Sequence, residues 1–68
     1  MLGTDSWFAR RLRRTLGDMG ISQRKLARMS GLSDACISRY MSGSRLPNLH
    51  NVKRIRDALG CTWEEILG

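Results

Sequence analysis

Little in this 68-residue chain offers a means to cross-link it, anchor it or give it catalytic groups. Its two cysteines, Cys36 and Cys61, fit neither a disulfide framework nor the paired spacing of a zinc site, so packing alone must hold a reduced chain together. The one histidine, His50, has no Ser, Cys or carboxylate pattern around it, and no catalytic triad, metal site or cofactor site can be assembled from these residues. Trp7 and Phe8 stand near the N-terminus without an apolar run of signal-peptide length, and nothing approaches the roughly 18 residues of a membrane helix. A soluble cytoplasmic protein that avoids the membrane is the expectation. Strand signals, repeats and low-complexity tracts are missing too. Acid is scarce: six Asp and Glu against twelve Lys and Arg leave a formal charge of +6. The resulting pI of 10.7 lies above the value of about 9 that marks nucleic-acid binders. Basic residues can also serve solubility alone, so the charge points to a polyanionic partner only together with pattern.

At 68 residues the chain holds one domain, 1–68, with a small core. Domains of this size without staples need well-packed helices. Five short helices can be read. The first opens at Asp5 or Ser6 and carries Phe8, Leu12 and Leu16 on one face, with Arg10, Arg11, Arg13 and Arg14 on a solvated circumference, and Gly20 ends it. The second starts from Ser22 as N-cap, turns Leu26, Ala27 and Met29 inward and stops at Gly31. Ser33 caps the third, which ends at Gly43. At about 100° per residue Ile37, Tyr40 and Met41 share its inner face, while Ala35, Ser38, Arg39 and Ser42 share a small polar outer one suited to a groove. After Pro47, Asn48 caps a fourth helix with an apolar stripe of Leu49, Val52, Ile55 and Leu59. A fifth begins with Thr62 and Glu65 at capping-box spacing and carries Trp63, Ile66 and Leu67.

The run Gly20, Ile21, Ser22, Gln23, then Leu26, Ala27, Gly31, Leu32, Ser33, Ile37, Gly43, Arg45 and Pro47 resembles the phage-repressor and Cro type of helix-turn-helix, also called the xenobiotic-response-element type. The likeness extends from about Phe8 to Leu67, and Leu59, Gly60, Cys61 and Thr62 look like that family's entry to its last helix. It implies an all-α, five-helix, lambda-repressor-like domain with the helix-turn-helix at about 22–42. The physical reasons are plain. A small Ala27 lets two helices cross closely, Gly31 permits the turn, and Leu32 and Ile37 pin the third helix so that its polar face can enter a major groove about 12 Å wide.

The resemblance also implies roles. Ser33, Asp34, Ala35, Ser38 and Arg39 occupy positions that face base edges, and Gln23, Arg24, Arg45 and the helix start at Asn48 occupy positions that meet phosphate. Two departures stand out. Lys25 replaces a frequent glutamate, which removes the reciprocal half of a capping box with Ser22. Asp34 is an acid facing a polyanion; it suits the positive end of the third helix and can equally accept from cytosine N4. Leu16 and Met41 stand where many relatives carry an Arg–Glu pair, and their apolarity predicts packing together.

The implied function is double-stranded DNA binding by a transcriptional regulator, most simply a repressor. It would bind a pseudo-palindromic operator as a homodimer paired through Trp63 and the last helix. The alternative within this fold is a protein-interaction module, such as an antitoxin or accessory subunit. RNA binding is disfavoured because no aromatic platform exists. Cys36 flanks the third helix as a small, partly buried side chain, and Trp7 and Trp63 read as core or edge residues.

Overall fold

The computed structural model describes residues 6–67, and each helix in it begins where a short polar side chain can satisfy a loose backbone N–H. Helix α1 spans Trp7–Met19, α2 Gln23–Ser30, α3 Asp34–Ser42, α4 Leu49–Leu59 and α5 Trp63–Leu67. Ser6, Ser22, Ser33 and Asn48 are the N-caps of the first four. Their side-chain oxygens accept from the N–H of Ala9, Lys25, Cys36 and Asn51 at 2.8–3.0 Å. Each such cap stabilises its helix by about 1 kcal/mol. Asp5, the other reading of the first cap, lies outside the described residues. Thr62 and Glu65 close the expected reciprocal box: the Thr62 N–H donates to Glu65 Oε1 at 2.8 Å, and the Glu65 N–H donates to Thr62 Oγ1 at 3.0 Å.

The core is one cluster built from every helix. Phe8, Leu12 and Leu16 of α1 meet Leu26 and Ala27 of α2, Ile37 and Tyr40 of α3, Val52, Ile55 and Leu59 of α4, and Ile66 of α5. Helix α2 packs on both α3 and α4, and α1 packs on α3 and α5. Ala27 is buried in the cluster, consistent with the close crossing its small size was read to allow. Leu16 is buried and Met41 half-buried against the same core, so the two positions at which relatives pair charges here serve packing.

Two expected core residues are not in it. Met29 is 42% exposed, because the buried side of α2 runs through Leu26, Ala27 and Ser30, and Met29 lies around the helix from that line. Leu49 is 70% exposed. It opens α4 about 90° off the direction shared by Val52, Ile55 and Leu59, where no helix covers it.

Side chains from α1 also hold the assembly in a way a solvated arginine face does not suggest. The Arg11 guanidinium donates to the Glu65 carbonyl of α5 at 2.9 Å, and Arg13 donates to the Met41 carbonyl near the end of α3. Across the molecule, Asn51 Nδ2 of α4 donates to the Tyr40 hydroxyl of α3 at 2.8 Å. Arg54 of α4 donates to the Ser30 carbonyl at the end of α2 (3.4 Å) and to His50 Nε2 (3.2 Å). Helix α3 is therefore gripped from behind by two neighbours.

Candidate nucleic-acid interface

Gly31 takes the left-handed backbone that joins α2 to α3, with φ +76, and its N–H returns to the Ala27 carbonyl at 3.0 Å. Leu32 leaves that turn half-buried on the core, and Ser33 then caps α3, so the direction of the third helix is set over three residues. Ala35, Ser38 and Arg39, expected outward from the period of α3, are exposed, and so are Ser33 and Asp34, which the family resemblance adds to them. Among the described residues the side chains of Ala35, Ser38 and Arg39 make no internal polar contact, while the inner Ile37 and Tyr40 are 0% and 3% exposed.

Ser42 shares that face by position but is already engaged. Its hydroxyl donates to the Arg39 carbonyl at 3.1 Å and accepts from the Ser44 N–H at 3.3 Å. With the Arg45 N–H reaching the same Arg39 carbonyl at 3.4 Å, these bonds wind the loop tightly around the end of α3 and carry Arg45 to an exposed position beside it. Asn48 is exposed at the start of α4, but its side-chain oxygen is spent on the Asn51 N–H. An anion there would meet the helix start itself, as its dipole favours. At the other end, Gln23 is half-buried and Arg24 exposed on the first turn of α2. Arg24 Nε lies 3.9 Å from Asp34 Oδ2, the only side-chain polar link between α2 and α3 among the described residues. The polar face is thus flanked by basic groups before and after it.

Burial pushes the Tyr40 hydroxyl above its ordinary value of 10.0, and its hydrogen bond with Cys36 adds to the shift, against the Asn51 donor that lowers it. The Cys61 thiol is likewise raised by burial. Both cysteines are free and half-buried. Among the described residues no three His, Cys, Asp or Glu side chains gather as a metal set, and no helix is long and apolar enough to cross a membrane.

A second exposed surface is apolar. Trp7, Leu46, Leu49 and Leu67 are 49%, 58%, 70% and 39% exposed and, with Pro47, line one open groove of about 220 Å³. Trp63 lies elsewhere on α5, 37% exposed, with the Arg56 guanidinium 4.8 Å above its ring. In the sequence this groove shows only as Leu49, whose spacing places it with the core stripe of α4 although it is 70% exposed.

Comparison with known proteins agrees with this fold. A helix-turn-helix family model matches residues 10–66, nearly the whole chain. Among solved structures, the chain is similar to the restriction-modification controller protein C.AhdI from Aeromonas hydrophila. The two are 32% identical with a TM-score of 0.83, over 88% of this chain and 91% of that one. No curated protein matches the sequence.

Proposed function

The chain belongs to the phage-repressor and Cro type of helix-turn-helix DNA-binding regulators, and from that membership we propose that it represses transcription as a homodimer seated on a pseudo-palindromic operator. The observation that carries the reading is the outer face of α3. Ala35, Ser38 and Arg39 are exposed and unbonded on a helix otherwise secured along its back. In this reading Ser33, Asp34, Ala35, Ser38 and Arg39 meet base edges in the major groove. Gln23, Arg24, Arg45 and the start of α4 at Asn48 hold the phosphates on either side. Arg39 is the strongest reader, because its planar fork fits guanine O6 and N7 in bidentate fashion.

One nine-residue helix touches too few base pairs to select a genomic site, and two copies related by a two-fold axis would read half-sites about 34–36 Å apart. For the pairing surface we favour the groove of Trp7, Leu46, Leu49 and Leu67 over Trp63. The groove gathers exposed apolar side chains on one surface, as an isologous contact uses, whereas one face of Trp63 is already covered by Arg56. Likeness to C.AhdI supports control of restriction-modification genes as the concrete role.

Footprinting on genomic fragments tests the whole reading. Two protected half-sites one helical turn apart are expected, and Leu49→Glu should abolish their joint occupation while leaving the helical content intact. A monomer bound at full affinity to a single half-site would refute the dimer. Affinity indifferent to salt would refute DNA binding.

A further inference from the structure

Asp34 has two tasks open to it from the sequence, favouring the positive end of α3 and reading a base, and its place in the first turn serves the first without a capping bond, leaving the carboxylate outward. The N-cap is Ser33, whose Oγ accepts from the Cys36 N–H at 3.0 Å. Asp34 follows it in the first turn, exposed, and its carboxylate takes no part in the cap. Its polar partner among the described residues is Arg24, with Nε 3.9 Å from Oδ2, reaching over from the start of α2.

A carboxylate at this position is costly against phosphate and has a narrow chemistry against bases. Ionised, it only accepts hydrogen bonds. Guanine and thymine turn acceptors toward the major groove and repel it, adenine offers a donor beside an acceptor, and cytosine alone presents its N4 amino group unopposed. An acid here can therefore discriminate strongly, provided it is held in one orientation near the phosphates. Arg24 places a positive charge 3.9 Å from the carboxylate and keeps donors to spare for the phosphate backbone.

Building on the functional reading above, we propose that Arg24 is a positioning residue for base recognition, standing beside Asp34 so that the carboxylate is aimed to select cytosine at one position of each half-site. A phosphate clamp weakens binding to all sequences by a common factor. A positioning residue changes which base is preferred.

Selection from randomised half-sites, with the full chain and the Arg24→Ala, Arg24→Lys and Asp34→Asn variants, distinguishes these. The wild type should demand cytosine at one position. Asp34→Asn should shift that position toward adenine, whose N6 and N7 suit an amide. Arg24→Ala should lose about tenfold in discrimination at that same position and no other, as expected for one good base contact, and Arg24→Lys should recover part of it. The double variant Arg24→Ala with Asp34→Asn should lose no more discrimination than Asp34→Asn alone. An Arg24→Ala protein that binds every site more weakly but keeps the wild-type base profile would overturn the inference while leaving the DNA-binding reading intact. A wild type that enriches no sequence would overturn both.

Discussion

Replacing Tyr40 by phenylalanine removes one oxygen from the back of the recognition helix and leaves the ring in place. No cavity opens, so the cost is that of the bond from Asn51 Nδ2 at 2.8 Å, with the weaker contact of the hydroxyl with Cys36 lost beside it. A hydrogen bond of this kind contributes about 0.5–1.5 kcal/mol net, and the figure rises when the freed partner is sealed from water. Asn51 is only half-buried, so its amide regains solvent and the loss should be about 1 kcal/mol. Domains of this length hold about 0.05–0.15 kcal/mol per residue, which makes that loss a substantial share of the total. Calorimetry at neutral pH should show Tm falling by about 4–8 °C. The same change has an alkaline signature. Burial raises the Tyr40 hydroxyl above 10.0, so the stability due to the neutral phenol is complete below that pH and is lost as pH climbs through the raised value. The wild type should therefore shed more stability than Tyr40→Phe on going to high pH, and the two curves should converge. Asn51→Ala combined with Tyr40→Phe should cost less than the two single changes added together, because both delete one bond. A Tm within about 1 °C of wild type, or equal alkaline losses in the two proteins, would refute the view that this bond ties α3 to α4.

Other substitutions test the reading face and the turn. Arg39→Ala should cost about 1–3 kcal/mol on the preferred operator and relax choice at one base pair, whereas Gln23→Ala should weaken all sequences alike; selections on randomised half-sites compare them. If about four to six phosphates are neutralised, log affinity against log salt should fall with a slope of about −0.9 per phosphate, and a flat plot would exclude that contact set. Gly31→Ala should lower Tm. A side chain at φ +76 costs about 1–2 kcal/mol, and its Cβ would stand 3.0 Å from Arg54 Nη1, the group bonded to the Ser30 carbonyl. Unchanged thermal stability in that variant would show that the turn tolerates a side chain.

Where the chemistry is local, the sequence was legible. Ser22, Ser33, Asn48 and the Thr62–Glu65 box satisfy backbone groups three residues away, so their spacing alone marks the helix starts, and the small polar face of α3 follows from its period. Cover was not legible. Leu49 and Met29 carry the apolarity of core residues, but whether a neighbour lies over them depends on helix crossings that no local pattern records. The same holds for Arg11 and Arg13, which a helical wheel puts in solvent and the fold turns toward carbonyls of α5 and α3. The Tyr40–Asn51 bond joins two elements through a loop and leaves no spacing signature. At the interface, the exposure of the expected base-facing residues was foreseen. The Arg24–Asp34 contact was not, because it needs the angle between two helices.

The grip on α3 has a consequence for how such a protein changes over time. Its neighbours hold it through Tyr40 and the Met41 carbonyl, and its own cap at Ser33 fixes its start, while the side chains of Ala35, Ser38 and Arg39 contribute to none of these bonds. Mutations at those three positions can thus accumulate at little structural cost. On the proposed reading, a duplicated copy of this chain could drift to a new operator one base pair at a time without passing through an unfolded ancestor, and so escape regulation shared with its parent.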